Sequence, residues 1–167
     1  MRTVPRTSAG LLLHRRGPDG GIEVLIGHMG GPFWARKDAG AWSIPKGEHG
    51  PDEEPRDVAL REFAEELGAP APVTDLVPLG EVRQSGGKRL TVWAAEGDFD
   101  AAGAVSNTFS LEWPPRSGRV QEFPEIDRAA WTTLDEARVK LVQGQVPLLD
   151  RLFGLVTSQR SDEDSSH

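Results

Sequence analysis

The stretch that most constrains this chain is residues 47–69, where a loop rich in glycine and acidic residues leads into a segment with helical periodicity. Pro55 suits the first turn of a helix, because the N–H that proline lacks would have no partner there. Gly68 suits the position just after the last turn, where a left-handed backbone conformation is common. We therefore predict a short helix that begins near Pro55 and ends before Gly68.

The predicted helix has an apolar side and an acidic side, given about 100° between successive residues. The apolar stripe consists of Leu60, Phe63, Ala64 and Leu67. Glu62, Glu65 and Glu66 fall together on the opposite side. Carboxylates this close repel one another and raise each other's pKa. A divalent cation would relieve the repulsion, and oxygen ligands without cysteine or a histidine cluster favour Mg²⁺ or Mn²⁺ over zinc.

The alternative interpretation is a solvated acidic helix face, and Val58, one turn earlier on that side, counts in its favour. The spacing of the fixed residues argues against it. Gly47 is followed after five residues by Glu53, and after seven more by the run Arg61-Glu62-Phe63-Ala64-Glu65-Glu66-Leu67-Gly68-Ala69. This pattern resembles the Nudix box, Gly-x5-Glu-x7-Arg-Glu-U-x-Glu-Glu-x-Gly-U, where U is a bulky aliphatic residue. On this motif the chain is identified as a member of the Nudix family.

Every fixed Gly, Glu and Arg of the box is in place, and both departures fall at the U positions. Phe63 is aromatic and Ala69 is small. These positions pack and do not react, so the departures leave the catalytic residues of the motif intact.

The resemblance implies hydrolysis of a nucleoside diphosphate linked to another group, in which water attacks a phosphorus of the pyrophosphate bridge. It makes Glu62, Glu65 and Glu66 the ligands of Mg²⁺, for which Mn²⁺ can substitute. The backbone carbonyl of Gly47 is a further ligand in relatives. One carboxylate of this cluster can double as the general base, and the sequence does not decide which one.

Two other residues of the box correspond to a pair that braces the loop against the helix in the family. These are Glu53 and Arg61, and a bidentate Arg–carboxylate pair suits that role. The alternative for Arg61 is an ordinary surface ion pair.

A carboxylate outside the box often completes the metal site or serves as base in Nudix enzymes. It commonly precedes, by several residues, a tryptophan that opens the final strand. Glu125 stands six residues before Trp131 and is the predicted residue, with Pro124 stiffening the backbone before it. Glu122 is the competing candidate and Asp127 a weaker one. The alternative is that all three are solvated loop acids.

Lys46 gives the main indication of substrate class. The sequence Pro-Lys-Gly before the box resembles the branch that acts on dinucleoside polyphosphates and diphosphoinositol phosphates, whereas enzymes for oxidised nucleoside triphosphates often have Pro-Gly-Gly there. Lys46 would face a polyphosphate as a point charge. The alternative is a solvated lysine.

Two further groups of residues are candidates for substrate binding. The first is an aromatic and cationic loop that can stack a base and hold phosphate, and it contains Phe33, Trp34, Arg36 and Lys37. The second is the pair Arg116 and Arg119, which flanks a Pro-Pro break. The alternatives are a core-packed Trp34 and ordinary solvated arginines.

Strands and helices are predicted on both sides of the box. The predicted strands are residues 7–15, 22–28, 41–45, 75–82, 90–96, 109–113 and 129–133. The first two form an antiparallel hairpin around a Gly-Pro-Asp-Gly-Gly turn. Residues 134–141 and 145–156 have helical periodicity. The predicted fold is an α/β/α sandwich with a mixed central sheet, as the Nudix resemblance also implies. It forms one domain over residues 1–157, and residues 158–167 are predicted to be a disordered tail.

Composition narrows the functional classes. The chain of 167 residues has no cysteine, which excludes disulfide and thiolate chemistry. Its net charge of −7 argues against nonspecific nucleic-acid binding. It shows no signal segment and no apolar run long enough to cross a bilayer, so a cytoplasmic protein with no membrane partner is expected. The four histidines show no ligand-like spacing.

The sequence therefore predicts a Mg²⁺-dependent Nudix pyrophosphohydrolase whose partner is a small nucleotide substrate, a nucleoside polyphosphate or dinucleoside polyphosphate. The alternatives are a hydrolase that removes oxidised nucleotides, a diphosphoinositol polyphosphate hydrolase, and a non-catalytic Nudix module that senses a nucleotide. The physiological substrate, the bond cleaved, the number of metal ions and the oligomeric state are not determined by the sequence.

Overall fold

The computed structural model of the chain describes residues 7–73 and 75–165, with side-chain environments through residue 158. Its strands are β1 (Thr7–Arg16), β2 (Ile22–Met29), β3 (Trp42–Ser43), β4 (Lys46–His49), β5 (Val77–Arg83), β6 (Arg89–Glu96), β7 (Thr108–Glu112), β8 (Val120–Pro124) and β9 (Ile126–Thr133). Its α-helices are α1 (Pro55–Leu67), α2 (Leu134–Lys140) and α3 (Pro147–Ser165). Short 3-10 turns occupy Ser85–Gly87, Ala101–Gly103 and Gln143–Gln145.

Seven strands form one mixed sheet. The order along the sheet is β3-β2-β1-β6-β5, and β4 and β9 add to β1 and β2 respectively. The pairing of β1 with β6 is parallel and the other pairings in this sheet are antiparallel. The predicted β1–β2 hairpin is confirmed, and β7 and β8 form a separate antiparallel hairpin. The prediction of an α/β fold with a mixed central sheet is confirmed.

Strand β1 shows how the sheet is buried on both faces. Leu12 packs in the cluster that includes buried residues of α2 and α3, whereas Leu11 and Leu13 pack in the cluster that includes Phe63 and Leu67 of α1. Successive side chains of a strand point to opposite faces. Helices therefore cover both faces of the sheet.

Three segments differ from the sequence prediction. β4 and β8 were not predicted: β4 is polar and contains a glycine, β8 is short and ends in a proline, and each becomes a strand by pairing, with β1 and β7 respectively. The backbone of residues 158–165 is helical, whereas the sequence predicts a disordered tail there. No proline or glycine interrupts it, and a helix already formed extends at little cost. Residues 166–167 of the predicted tail lie outside the described residues.

Helix α1 packs with a stripe that is rotated from the predicted one. Its buried residues are Val58, Ala59, Phe63, Glu66 and Leu67. Leu60 and Ala64 of the predicted stripe are only partly buried. Val58 packs with Ala9 of β1 on the side where the acidic residues lie. That side therefore faces protein as well as solvent, which argues against a purely solvated acidic face.

The ends of α1 follow the predicted signals. Pro55 occupies the first turn, and Gly68 caps the last turn with φ 83°, donating its N–H to the carbonyl of Ala64 at 2.8 Å. A positive φ of this size strains any residue with a Cβ, so glycine is required here.

No helix within the described ranges 7–73 and 75–165 has both the length and the hydropathy needed to span a membrane.

Phe63 is the largest buried side chain of α1, and its truncation should weaken the packing of the helix on the sheet. Its side chain is fully buried and meets Phe99 edge-on, with ring centroids 5.3 Å apart. We expect Phe63→Ala to lower the free energy of unfolding by about 3–5 kcal/mol, because it removes buried apolar surface and leaves a cavity. Leu60→Ala on the partly buried side is the control and should cost less. Denaturant unfolding measures both, and an equal loss in the two variants would contradict this role of Phe63.

Candidate active site

A cleft of about 440 Å³ opens between the box helix, β4 and the loops that follow β5 and β8. The residues that line it are Ser8, Lys46, Gly47, Glu48, Glu62, Glu65, Glu66, Gln84, Lys88, Asn107 and Glu125. The three predicted carboxylates of the box, Lys46, Gly47 and Glu125 are thus brought together at one place.

Glu66 is the most buried carboxylate of the cleft, with 9% of its surface exposed. Its Oε2 accepts a hydrogen bond of 3.2 Å from the backbone N–H of Lys46. Burial raises the pKa of Glu66 to about 8, and the charges of Glu62 and Glu125 add to the shift, against the opposing charge of Lys46. Glu66 thus binds a proton much more tightly than an exposed glutamate does.

Glu62 lies in a similar environment one turn earlier on α1. Burial raises its pKa, and the neighbouring charge of Glu65 raises it further. Its carboxylate lies so close to the backbone of Gly47 that a Cβ atom at position 47 would overlap it. A residue with a Cβ at position 47 would therefore displace the Glu62 carboxylate from its place in the cleft.

Glu53 and Arg61 form the predicted contact between loop and helix. Arg61 Nη1 lies 3.4 Å from Glu53 Oε1, and Glu53 Oε2 accepts a hydrogen bond of 3.2 Å from the N–H of Gly50. The guanidinium of Arg61 and the Gly50 N–H lower the pKa of Glu53. Arg61 Nη2 also lies 3.7 Å from Glu62, so the same guanidinium faces a carboxylate of the cleft.

Backbone hydrogen bonds hold Glu125 at the cleft. Its N–H donates to the carbonyl of Asn107 at 2.9 Å, and the N–H of Asn107 donates to the carbonyl of Glu65 at 2.9 Å. The carbonyl of Glu125 accepts from the N–H of Gly30 at 2.9 Å. A Cβ atom on Gly30 would overlap the carbonyl of Pro124, so the two segments are in close contact. Asn107 therefore links Glu125 to the box helix.

The two competing acids are placed differently. Glu122 is exposed on β8 and is not part of the cleft lining. Asp127 lies 2.9 Å from Nδ1 of His28, a fully buried ring whose Nε2 lies 2.6 Å from the carbonyl of Lys37. Asp127 is thus engaged with the core, and of the three acids only Glu125 lines the cleft.

The predicted substrate loop lies outside the lining of the cleft. Phe33 is 63% exposed, and the ammonium of Lys37 sits over its ring at 3.8 Å from the centroid. Trp34 packs edge-on to Phe33 and is partly buried against the larger core cluster. Arg36 is exposed on the same loop. An aromatic and cationic surface therefore exists, but the structure does not bring it into the cleft.

The other predicted cations are also away from the cleft lining. Arg116 and Arg119 are exposed on the connection between β7 and β8. Arg116 has a φ of 62°, which belongs to the tight turn at that point.

Sequence reasoning missed several residues of the cleft. These are Ser8, Glu48, Gln84, Lys88 and Asn107. Lys88 carried a weak signal, as the cation that ends a Ser-Gly-Gly turn between two strands. Asn107 and Gln84 carried none, because neither belongs to a motif and both reach the cleft by tertiary packing.

The donors in the cleft fit a hard divalent cation by their chemistry. Neither histidine nor cysteine is among the described residues that line it, and its acidic side chains supply oxygen ligands. Burial raises the pKa of Glu66 and of Glu62, and the nearby charges of Lys46 and, for Glu62, Arg61 oppose this only in part. As the side chains stand, no three His, Cys, Asp or Glu residues in the described part of the chain are grouped closely enough to hold a metal ion.

The chain matches one family model and several solved structures. The model of the NUDIX domain matches residues 4–152. A search of curated proteins found no match. An Ap4A hydrolase of C. elegans in a binary complex has a TM-score of 0.63 at 21% identity, covering 90% of this chain and 98% of that chain. The NUDIX domain of Shewanella oneidensis NrtR with ADP ribose has a TM-score of 0.62 at 16% identity, covering 93% and 90%. RenU, a Nudix hydrolase of M. smegmatis, has a TM-score of 0.54 at 26% identity, covering 91% and 86%.

The family match spans most of the chain and contains the whole box and its cleft. The two structures below 25% identity show that the fold is shared. Hydrolases of this family generally use divalent metal ions and bind nucleotide substrates. The chain therefore belongs to the Nudix family and is a hydrolase that acts on phosphorus-containing acid anhydrides.

Proposed function

We propose that this hydrolase is a Mg²⁺-dependent pyrophosphohydrolase that cleaves a phosphoanhydride bond in a nucleoside polyphosphate or a dinucleoside polyphosphate. The observation that carries the proposal is the cleft itself. It combines the carboxylates Glu62, Glu65 and Glu66 with the cation Lys46. Acidic ligands for a metal and a cation for phosphate are the two features that phosphoryl chemistry needs side by side.

The residues that would hold the metal are Glu62, Glu65, Glu66, the carbonyl of Gly47 and Glu125. When bound, a divalent cation neutralises phosphate charge and makes a water molecule a better nucleophile at neutral pH. The cleft carboxylates Glu62, Glu65, Glu66 and Glu125 are the candidates for the general base. Arg61 and Glu53 support the helix from which these ligands project.

Two lysines favour a substrate with several phosphates. Lys46 and Lys88 line the same cleft and supply the positive charge that a polyphosphate requires. The exposed ring of Phe33 with Lys37 above it offers a surface on which a base at the far end of a long substrate can stack. Arg36, Arg116 and Arg119 are exposed outside the cleft and can contact only a substrate that extends beyond it.

A panel of substrates tests this function. We expect diadenosine tetraphosphate or a nucleoside triphosphate to have the highest kcat/KM, compared with an oxidised deoxynucleoside triphosphate, a nucleotide sugar and a diphosphoinositol phosphate. Activity should require Mg²⁺ and vanish in EDTA. Glu66→Gln should lower kcat by roughly 10²-fold or more, the scale of a lost electrostatic group. Lys46→Gly should reduce activity on long polyphosphates more than on short ones.

Three outcomes would contradict parts of this proposal. A nucleotide sugar that leads by about tenfold would overturn the role of Lys46 in substrate choice. Full activity in EDTA would overturn the metal requirement. Binding of nucleotides without turnover of any of them would favour the non-catalytic module.

The buried carboxylate predicts a pH-dependent stability without metal. In EDTA, the wild-type Tm should fall as the pH rises from about 5 to about 8. The folded-state pKa of Glu66 is about 8 against an ordinary 4.5, so the folded state retains a proton that the unfolded state releases. Glu66→Gln should flatten this dependence and be more stable than the wild type at pH 8, by about 2–4 °C in Tm for each kcal/mol.

Thermal unfolding at several pH values measures this effect, with Glu122→Gln as the matched control. Glu122 is exposed and outside the cleft lining, so its variant should follow the wild-type profile. A Glu66→Gln profile that parallels the wild type would show that Glu66 does not titrate in this range.

Glu125 should act together with the box carboxylates. We expect Glu125→Gln to lower kcat and the affinity for Mn²⁺ by roughly tenfold or more, the scale found for groups around a bound metal. Glu122→Gln should change both less. The double variant with Glu66→Gln should be non-additive, because the two residues line one cleft. If Glu125→Gln keeps the kcat and the Mn²⁺ affinity of the wild type, Glu125 takes no part in metal binding or catalysis.

A further inference from the structure

A chain of hydrogen bonds behind the cleft wall determines how a side-chain amide in that wall is oriented. It starts from Gln145, which is wholly buried in the 3-10 turn Gln143–Gln145. Its Oε1 accepts a hydrogen bond of 3.0 Å from the backbone N–H of Ile44. A backbone N–H can only donate, so the oxygen and the nitrogen of the Gln145 amide cannot exchange places.

The orientation of Gln145 sets that of Gln84. The Nε2 group of Gln145 donates to Oε1 of Gln84 at 3.0 Å and to Oγ of Ser43 at 3.0 Å. The Ser43 hydroxyl donates in turn to the carbonyl of Ile44 at 2.8 Å. The direction of every hydrogen bond in this network is therefore fixed. The amide oxygen of Gln84 therefore faces Gln145, and its NH₂ group faces away from the buried network.

The backbone around Gln84 is held at the same place. A Cβ atom on Gly144 would come within 2.7 Å of the carbonyl oxygen of Arg83 and 3.0 Å of the Cα of Gln84. Only glycine at position 144 lets the 3-10 turn pack this closely without a shift. The N–H of Gln84 also donates to the carbonyl of Lys88 at 2.8 Å. The turn is thereby closed with both Gln84 and Lys88 on the cleft wall.

We propose that Gln84 contacts the substrate by donating its amide N–H groups to oxygens of the phosphate chain, and that Gln145 is the positioning residue that keeps this NH₂ group toward the cleft. The inference rests on the proposed function, since it requires a polyphosphate in the cleft. An amide adds two directed donors without adding charge. It therefore contributes geometry to phosphate recognition, whereas Lys46 and Lys88 contribute positive charge.

The network also connects this contact to the box. Ile44 and Ser43 directly precede the segment that carries Lys46, whose N–H donates to Glu66. One buried amide thus holds two walls of the cleft, the strand before the box and the turn after β5. This explains why the polar side chain of Gln145 lies in a buried position, where both its amide oxygen and its amide nitrogen are hydrogen-bonded.

Binding of inorganic tripolyphosphate, measured by isothermal titration calorimetry with Mg²⁺ present, tests the contact directly. We expect Gln84→Ala to weaken binding by roughly tenfold or more, the scale of a lost hydrogen bond to a charged group. Gln84→Glu keeps an acceptor for Gln145 but turns a carboxylate oxygen toward the phosphates, so it should bind more weakly still. Gln143→Ala is the matched control, because Gln143 is exposed in the same 3-10 turn, and it should bind like the wild type.

Nuclear magnetic resonance separates contact from a purely structural role. The side-chain NH₂ signals of Gln84, identified by their loss in Gln84→Ala, should shift when tripolyphosphate is added. Gln145→Met should weaken binding about as much as Gln84→Ala, and the double variant should add little. If Gln145→Met does not fold, the wild-type spectrum still decides the question.

The inference is overturned if the wild type does not bind tripolyphosphate, if Gln84→Ala binds it as tightly as the wild type, or if the Gln84 NH₂ signals do not move. Tripolyphosphate binding needs no turnover of a nucleotide. Binding that depends on Gln84, in a protein that hydrolyses none of the panel, would therefore refute the proposed function and support this contact.

Discussion

The burial of one carboxylate is the constraint on which the cleft depends. Glu66 projects from a helix that is held to the sheet by Phe63 and Leu67, so its position follows from apolar packing on the adjacent side of the same helix. In that environment its carboxylate accepts a hydrogen bond from the backbone N–H of Lys46, and burial raises its pKa to about 8. Apolar packing of the helix thus holds Glu66 in a buried position that disfavours its charged form, an arrangement that is common at functional sites.

Segments distant in sequence complete the cleft through directed hydrogen bonds. The carbonyl of Glu65 in the last turns of α1 is paired with the N–H of Asn107, whose own carbonyl accepts from Glu125. In another such connection, the side chain of Gln145 joins the segment before the box, at Ile44, to the turn at Gln84. Backbone groups and neutral amides have fixed donor and acceptor roles, so these connections hold geometry more strictly than surface ion pairs such as Arg61 with Glu53.

Sequence patterns predicted the elements whose signals are local. The box helix was bounded correctly by Pro55 and Gly68, and the β1–β2 hairpin by its glycine-rich turn. They did not predict the short strands β4 and β8, and they rotated the apolar stripe of α1 away from Val58 and Ala59. Both errors have one cause. Pairing and burial depend on the partner that the fold supplies, and a single segment does not contain that information.

The sequence by itself determined the family, the type of reaction and the three box carboxylates, because these depend on residue types at fixed spacing along one helix. The tertiary structure decided which other groups join them. Of the three candidate acids, it placed Glu125 in the cleft lining and left Glu122 and Asp127 out of it. It also brought Lys88, Gln84 and Asn107 to the cleft. Arg116 and Arg119 remained outside the lining. It also decided that Glu66 is buried while Glu65 is exposed. The physical reason is that local spacing sets the face of a helix, whereas burial, pKa and neighbours from other loops are set only when the sheet and its connections pack around that face.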